Sequence, residues 1–239
     1  MDRSSSILGV VPARGGSKGV PRKNICLVRG KPLIVYTLEA ASLARCLTRL
    51  VVSTEDEEIA QVARLLGVEV LPRPYALAAD DTPAIAPVLH AIDAFPEFDY
   101  VVLLQPTSPL RSADDIDMAI DTCLRLKAPA CVSVCEARCS PHWMYWINDD
   151  GQMRPVLEQN AETYARRQDL SPAYALNGAV YVARTDWLRE TRNFLTPETV
   201  PFVMDQDRSL DIDTEGDIRM CECLLERIGP ETSASALML

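Results

Sequence analysis

Short apolar runs alternate with helix-patterned segments through the first half of this 239-residue chain, and that rhythm restricts the fold more than any other feature. The runs fall at 7–11, 50–53, 68–71, 100–104 and 130–134, with helical patterns at 32–44, 57–66, 84–95 and 114–127 between them. In the second helix Ile59, Val62, Ala63 and Leu66 recur at the spacing of one buried face. Strands buried on both faces read as continuous apolar runs. The alternation therefore predicts an α/β fold, with a mostly parallel sheet covered by helices on both sides. Ligands of such sheets sit at the carboxyl ends of strands. The rhythm stops near Cys139. Residues 140–176 hold Pro141, Pro155, Pro172, the aromatics His142, Trp143, Tyr145, Trp146, Tyr164 and Tyr174, and the pair Arg166-Arg167. They read as an insertion with its own hairpin or extended arm in an otherwise single domain. A strand at 179–182 and a helix at 218–227 resume the pattern.

The formal charge is −10, from 34 Asp and Glu against 24 Lys and Arg, which argues against nucleic acid or an anionic membrane as partner. No stretch approaches the roughly 20 apolar residues of a membrane span, and the N-terminus lacks a signal-peptide pattern, so a cytoplasmic location is expected. Eight cysteines show no paired C-x-x-C spacing and read as reduced, packed thiols. The charge is unevenly placed. Between Arg3 and Leu38 there are seven cations and no acid.

Four segments could carry chemistry. V-P-A-R14-G-G-S-K18-G-V-P-R-K23-N24 follows the first strand. Gly15, Gly16 and Gly19 are expected to let backbone approach phosphate oxygens and to use positive φ, with Arg14, Lys18 and Lys23 as countercharge. A small polyanion, such as a nucleotide triphosphate, fits; the alternative is a basic surface turn. The lysine followed by Gly19 excludes a Walker A loop, and G-x-G-x-x-G is absent. L103-L-Q-P-T-S-P-L-R111 leaves a strand with Gln105, Thr107, Ser108 and Arg111 as donors for a base or phosphate, or forms a rigid polar loop. In S209-L-D211-I-D213-T-E-G-D217 an extended backbone puts Asp211 and Asp213 on one face. Two carboxylates with substrate phosphates suit magnesium; alternatively Asp213 or Thr214 caps a helix. R166-R-Q-D-L-S-P-A-Y-A-L-N177-G-A-V-Y181 offers Arg167 for bidentate anion binding and Asn177 as a ligand contact. Their plain alternatives are a solvated cation and a strand-opening turn.

In this order the four segments resemble the acylneuraminate cytidylyltransferases, also called CMP-sialic acid synthetases, over residues 7–227. P-A-R-G-G-S-K-G-x-P-x-K-N is the most specific piece; L-L-Q-P-T-S-P-L-R, N-G-A-x-Y and D-I-D-T-E-x-D accompany it. The resemblance implies a three-layer α/β/α mononucleotide-binding fold of the nucleotidyltransferase type, with an inserted dimerisation arm and a homodimer. It implies transfer of CMP from CTP to the anomeric hydroxyl of a nine-carbon α-keto acid sugar, with Mg2+ required. Arg14, Gly15, Gly16, Asn24, Thr82 and Gln105 then match nucleotide contacts, and Gln105, Arg167, Asn177 and Phe194 the sugar pocket. Lys18 and Lys23 match cations that stabilise the departing pyrophosphate, and Asp211 and Asp213 the metal-binding carboxylates. The chain departs from the family around Pro141-His142-Trp143-Met144, where some sialate enzymes place a basic residue of the partner subunit, and at 193–195, where only Phe194 is aromatic. Both departures leave the acid open: N-acetylneuraminic, legionaminic, pseudaminic or a deaminated relative. A CMP-KDO synthetase generally has a less glycine-rich opening. A nucleotide-binding module without turnover is the remaining alternative, and a nicotinamide dehydrogenase lacks its glycine spacing.

Overall fold

The computed structural model describes residues 5–17, 19–79, 81–157 and 170–228. Its main feature is a seven-stranded sheet. β1 (Ile7–Pro12) runs parallel between β4 (Arg49–Thr54) and β6 (Tyr100–Leu103), and β5 (Glu69–Pro72) extends the parallel side beyond β4. Across β6 lies β10 (Tyr174–Arg184), antiparallel both to β6 and to β7 (Ala130–Glu136). β11 (Val200–Val203) closes that edge parallel to β7, giving the order β11-β7-β10-β6-β1-β4-β5.

The strands alternate faces, and this sorts the core into two layers. Ile7, Val11, Val102 and Val182 pack with Ile34 and Leu38 of α1 (Leu33–Leu43), Ile59 of α2 (Glu57–Leu65), and Ile116 and Ile120 of α4 (Ala113–Arg125). On the other face Leu8, Val10, Val101 and Leu103 meet Val88 and Ile92 of α3 (Ala86–Ala94) and Leu188 of α5 (Thr185–Thr191). The predicted three-layer α/β/α fold is observed. A third cluster joins Val28 and Leu33 to Leu110, Ile212 and Cys221, the last from α6 (Glu215–Ile228). It seats the C-terminal helix against the small hairpin of β2 (Leu27–Val28) and β3 (Lys31–Pro32).

Sequence and structure differ mainly in the second half. The strand expected at 179–182 begins at Tyr174, and its register shifts between Leu176 and Tyr181. Asn177-Gly178 therefore forms a bulge inside a strand, with Gly178 at φ +72°, and does not open one. β11 and α5 were not expected. β11 is half exposed and contains Pro201, which an edge strand tolerates but which reads as loop. Within the insertion, β8 (Tyr145–Ile147) and β9 (Met153–Pro155) pair as a separate antiparallel hairpin.

One ion pair ties the acidic segment to this frame. Ser112 and Asp115 form a reciprocal capping box at the head of α4. The fully buried Asp115 carboxylate also accepts Arg208 Nε at 2.9 Å and Nη2 at 3.1 Å, just before Asp211. Burial pushes the Asp115 pKa up, but Arg208 and Ser112 prevail and hold it below the usual carboxylate range. Its stabilisation is thus present above the unfolded carboxylate pKa and lost as pH falls through the lower folded value. Arg208→Leu is expected to cost about 2–3 kcal/mol at pH 7, less than a fully buried pair because Arg208 is partly exposed. Urea titrations should show the difference narrowing as pH falls, because the buried carboxyl protonates more readily once its Arg208 partner is gone. A difference unchanged at low pH would assign the loss to something other than this pair.

Candidate active site

The carboxyl ends of β1, β5 and β6 open into a cleft of about 590 Å3. Arg14, Gly19, Lys23 and Asn24 of the glycine loop line it, with Gln105 from the exit of β6 and Asp213 from the segment before α6. Residues far apart in sequence converge here because both segments leave the same edge of the sheet.

The loop is held by the protein's own acids and carbonyls. The Gly15 amide donates to Glu55 Oε1 at 2.7 Å. A Cβ on Gly15 would lie 2.4 Å from Asp56 Oδ2, and one on Gly19 the same distance from the Asp213 carbonyl oxygen. Neither glycine, nor Gly16, has positive φ. The conformational role expected for the three is therefore corrected: Gly15 and Gly19 are required for space, while Gly16 stands in the open. Buried Asn24 donates its amide to the Arg14 carbonyl at 2.9 Å and so braces the loop from within. Arg14 Nη1 reaches the Ala79 carbonyl at 3.5 Å, and Thr82 lines the cleft while donating to the Ala76 carbonyl. Lys18 lies outside the described residues, as does Arg167.

Lys23 joins the loop to the acidic segment, donating to the Ile212 carbonyl at 2.7 Å and to Asp213 Oδ1 at 3.0 Å. Asp213 is exposed, whereas Asp211 is half buried and leaves Oδ1 without a hydrogen-bond partner. Burial pushes the Asp211 pKa up; Thr107 and Lys23 work against it, and the neighbouring Asp213 charge adds to it. A buried, unpartnered carboxylate oxygen beside a second carboxylate fits a site for a hard cation completed by ligand oxygens. No cluster of three or more His, Cys, Asp or Glu forms an all-protein cage among the described residues. Asp217 serves the helix instead, accepting the amides of Asp213 and Thr214 at the start of α6.

The bulge in β10 brings the rest together. A Cβ on Gly178 would stand 3.2 Å from Gln105 Oε1 and 3.8 Å from Asp211 Oδ2, so this glycine admits both side chains. Asn177 is buried; its Oδ1 accepts from Ser133 Oγ and its Nδ2 donates to Ser209 Oγ, which anchors the bulge to the acidic segment. Phe194 is also buried, edge-on to Tyr181 with 5.5 Å between ring centroids. Burial raises the Tyr181 phenol pKa, and the Asp211 charge raises it further. Arg111, expected to offer its donors to a ligand, points inward to the Gln105 and Ala179 carbonyls. Its burial pulls its pKa down to about 9, against a raising influence of Asp115.

Two residues escaped the sequence reading, and of these Arg73 lines the cleft. Arg73, buried at the exit of β5, had one available signal: a lone cation at the carboxyl end of a parallel strand. Tyr181 was the one polar-tipped side chain in an apolar run.

Residues 8–203 match the family described as Cytidylyltransferase. A CMP-N,N'-diacetyllegionaminic acid synthase of Legionella pneumophila is 37% identical over 227 residues, covering 92% of this chain and 96% of the relative. The chain belongs to the acylneuraminate cytidylyltransferase family. A pseudaminic acid cytidylyltransferase of Campylobacter jejuni is 32% identical over 223 residues, covering 91% and 95%. An N-acylneuraminate cytidylyltransferase of Escherichia coli is 30% identical over 90% of this chain, which spans about half, 51%, of that protein. In fold the cytidylyltransferase chain resembles CMP:2-keto-3-deoxy-manno-octonic acid synthetase complexed with CTP, with a TM-score of 0.71 over 94% of this chain and 100% of that one; sequence identity is 16%. It also resembles a 4-diphosphocytidyl-2C-methyl-D-erythritol synthase of Anaerococcus prevotii (TM-score 0.68, 13% identity, 94% and 97% covered).

Two outcomes follow for this cytidylyltransferase. Gly19→Ala drives a methyl into the Asp213 carbonyl and separates loop from doublet. Turnover of CTP should fall roughly tenfold to a hundredfold, the scale of an ångström misplacement, with the circular dichroism spectrum retained. Unchanged turnover would show that the contact does not set the cleft. The raised Asp211 pKa has the opposite sign to that of Asp115: its stability contribution is present at low pH and lost as pH rises through the folded value. Asp211→Asn should therefore raise the melting temperature of the free protein at pH 7 by roughly 2–4 °C, equivalent to about 1 kcal/mol in a chain of this size. The gain should vanish towards the ordinary carboxylate pKa near about 4. A variant that melts below the wild type at pH 7 contradicts a strained carboxylate.

Proposed function

We propose that this chain transfers CMP from CTP to the anomeric hydroxyl of a nine-carbon α-keto acid sugar, releasing pyrophosphate. The observation that carries this reading is the Lys23 bridge, which joins a glycine-rich cationic loop to Asp213 at one cleft, two residues from Asp211. The relatives named for legionaminic, pseudaminic and N-acylneuraminic acids favour a nine-carbon acid over the eight-carbon one.

In this reading Arg14, Lys18 and the loop around Gly15 and Gly16 receive the triphosphate, and Asn24 keeps the loop in shape. Thr82 and Gln105 border the nucleotide, with Gln105 reaching towards the sugar beside Gly178. Lys23, 16% exposed, stands where charge develops on the departing pyrophosphate. The sugar hydroxyl gives up its proton to an Asp carboxylate or to water, and its oxygen forms its bond to the α-phosphorus as the bond to pyrophosphate breaks. Asp211 and Asp213 would hold Mg2+, which supplies neutralisation of the triphosphate charge when bound. Arg167 pairs with an anionic group of the substrates, while Asn177 and Phe194 act from behind, holding the acidic segment and Tyr181. The insertion serves a homodimer; its hairpin exposes Trp146 and Ile147, 63% and 76% accessible.

The test is incubation with CTP and N-acetylneuraminic, legionaminic, pseudaminic or the eight-carbon acid, with and without magnesium, following pyrophosphate. Release is expected with at least one nine-carbon acid and only with magnesium; release with the eight-carbon acid alone, or with none, rejects the proposal. Asp211→Ala and Asp213→Ala should each lose roughly a hundredfold or more in kcat, the scale of a lost transition-state contact. Near-normal magnesium-dependent turnover in both removes the metal role.

A further inference from the structure

Glu55 has no part in the scheme above, yet it is bonded to two different parts of the cleft. It follows β4 in the turn to α2, and its side chain is 9% exposed. Oε1 accepts the Gly15 amide at 2.7 Å. Oε2 accepts Arg73 Nε at 3.1 Å and Nη2 at 2.5 Å. Gly15 begins the glycine loop after β1, whereas Arg73 leaves β5, two strands away, and lines the cleft beside Leu77 and Pro83. One buried carboxylate thus bridges the polyphosphate side of the cleft and a more apolar side suited to a nucleoside.

The electrostatics make the bridge conditional. Burial pushes the Glu55 pKa up, and Arg73 with the Gly15 amide holds it down, so the group is a charged acceptor at neutral pH. A buried charge is tolerated only while paired. Take away the guanidinium, 3% exposed, and an uncompensated negative charge stands against a loop that must receive phosphates. The Arg73 fork commits Nε and Nη2 to Glu55 and leaves Nη1 for a ligand, without a hydrogen bond among the described residues.

We propose that Glu55 is a positioning residue that couples the nucleoside side of the cleft to its polyphosphate side: it shapes the glycine loop for phosphate only while Arg73 neutralises it. The inference rests on the reading that this loop receives the triphosphate of CTP. Arg73 then influences phosphate affinity without touching phosphate.

Calorimetric titration with pyrophosphate alone tests this, because it needs neither CTP nor a sugar. Arg73→Met should weaken pyrophosphate binding roughly fivefold to tenfold, the scale of one like charge left unpaired near the phosphate site and screened by the solvent of the cleft. Arg73→Lys, which keeps a cation and guards against a misfolded Met variant, should lose less. In a Glu55→Gln background the same Arg73→Met change should cost less than about twofold, since no charge remains to be neutralised. An unchanged affinity in both Arg73 variants overturns the coupling alone. An equal loss with and without Glu55→Gln also overturns it, by showing that Arg73 meets the phosphate directly. A wild-type protein that binds no pyrophosphate removes the phosphate role of the loop, and the coupling with it.

Discussion

The ammonium of Lys23 holds the candidate site together. It bridges residues about 190 positions apart in sequence, tying the loop after the first strand to the Ile212 carbonyl and the Asp213 carboxylate. The Asp213 carbonyl fills the space that Gly19 leaves empty, so the contact is close on both sides. Neither segment holds more regular structure than a single 3-10 turn, at Lys23–Ile25 in one and just before the other at Gln206–Arg208. Each owes its place to the other and to the ion pair that anchors Arg208 on the head of α4.

The same contacts alter the electrostatic picture. Cations concentrated near the N-terminus suggest a strongly positive pocket, but folding brings acids to most of them. Arg22 meets Asp56 and Glu58, Arg29 meets Glu226, Lys31 meets Glu39, and Lys23 meets Asp213. Several of these pairs are largely exposed and add little stability. What they change is the field: the loop is already balanced by carboxylates, so an anion proposed to bind there would be recognised by placed donors more than by net charge. Asp211 shows the other side of this balance, as a carboxylate kept half buried with one oxygen unanswered. Its burial works against the charged form of the group.

Legibility varied with the range of the interactions. The α/β/α layers could be read because burial on both faces writes apolar runs directly into β1, β4, β6 and β7. The short edge strand β11 could not, since its pairing with β7 replaces an apolar pattern of its own. In the site, the glycine loop and the acidic doublet were visible as local composition. Asn177 and Phe194 were proposed as sugar contacts on the resemblance, and their burial could not be read locally, because it depends on the β10 bulge and on the packing of Phe194 against Tyr181. Arg111 turned inward for the same reason: the carbonyls it binds, Gln105 and Ala179, belong to two different strands or their exits.

By itself, then, the sequence determined the class of fold, the position of the loop at a strand exit, and the residue types for handling a charged nucleotide. All of these follow from periodicity and local composition. The tertiary structure decided which groups act and which brace: that Glu55 takes the Gly15 amide, that Arg73 enters the cleft, and that Lys23 meets Asp213. Those outcomes depend on antiparallel insertion of β10 and on distances between strand ends, which no local pattern encodes.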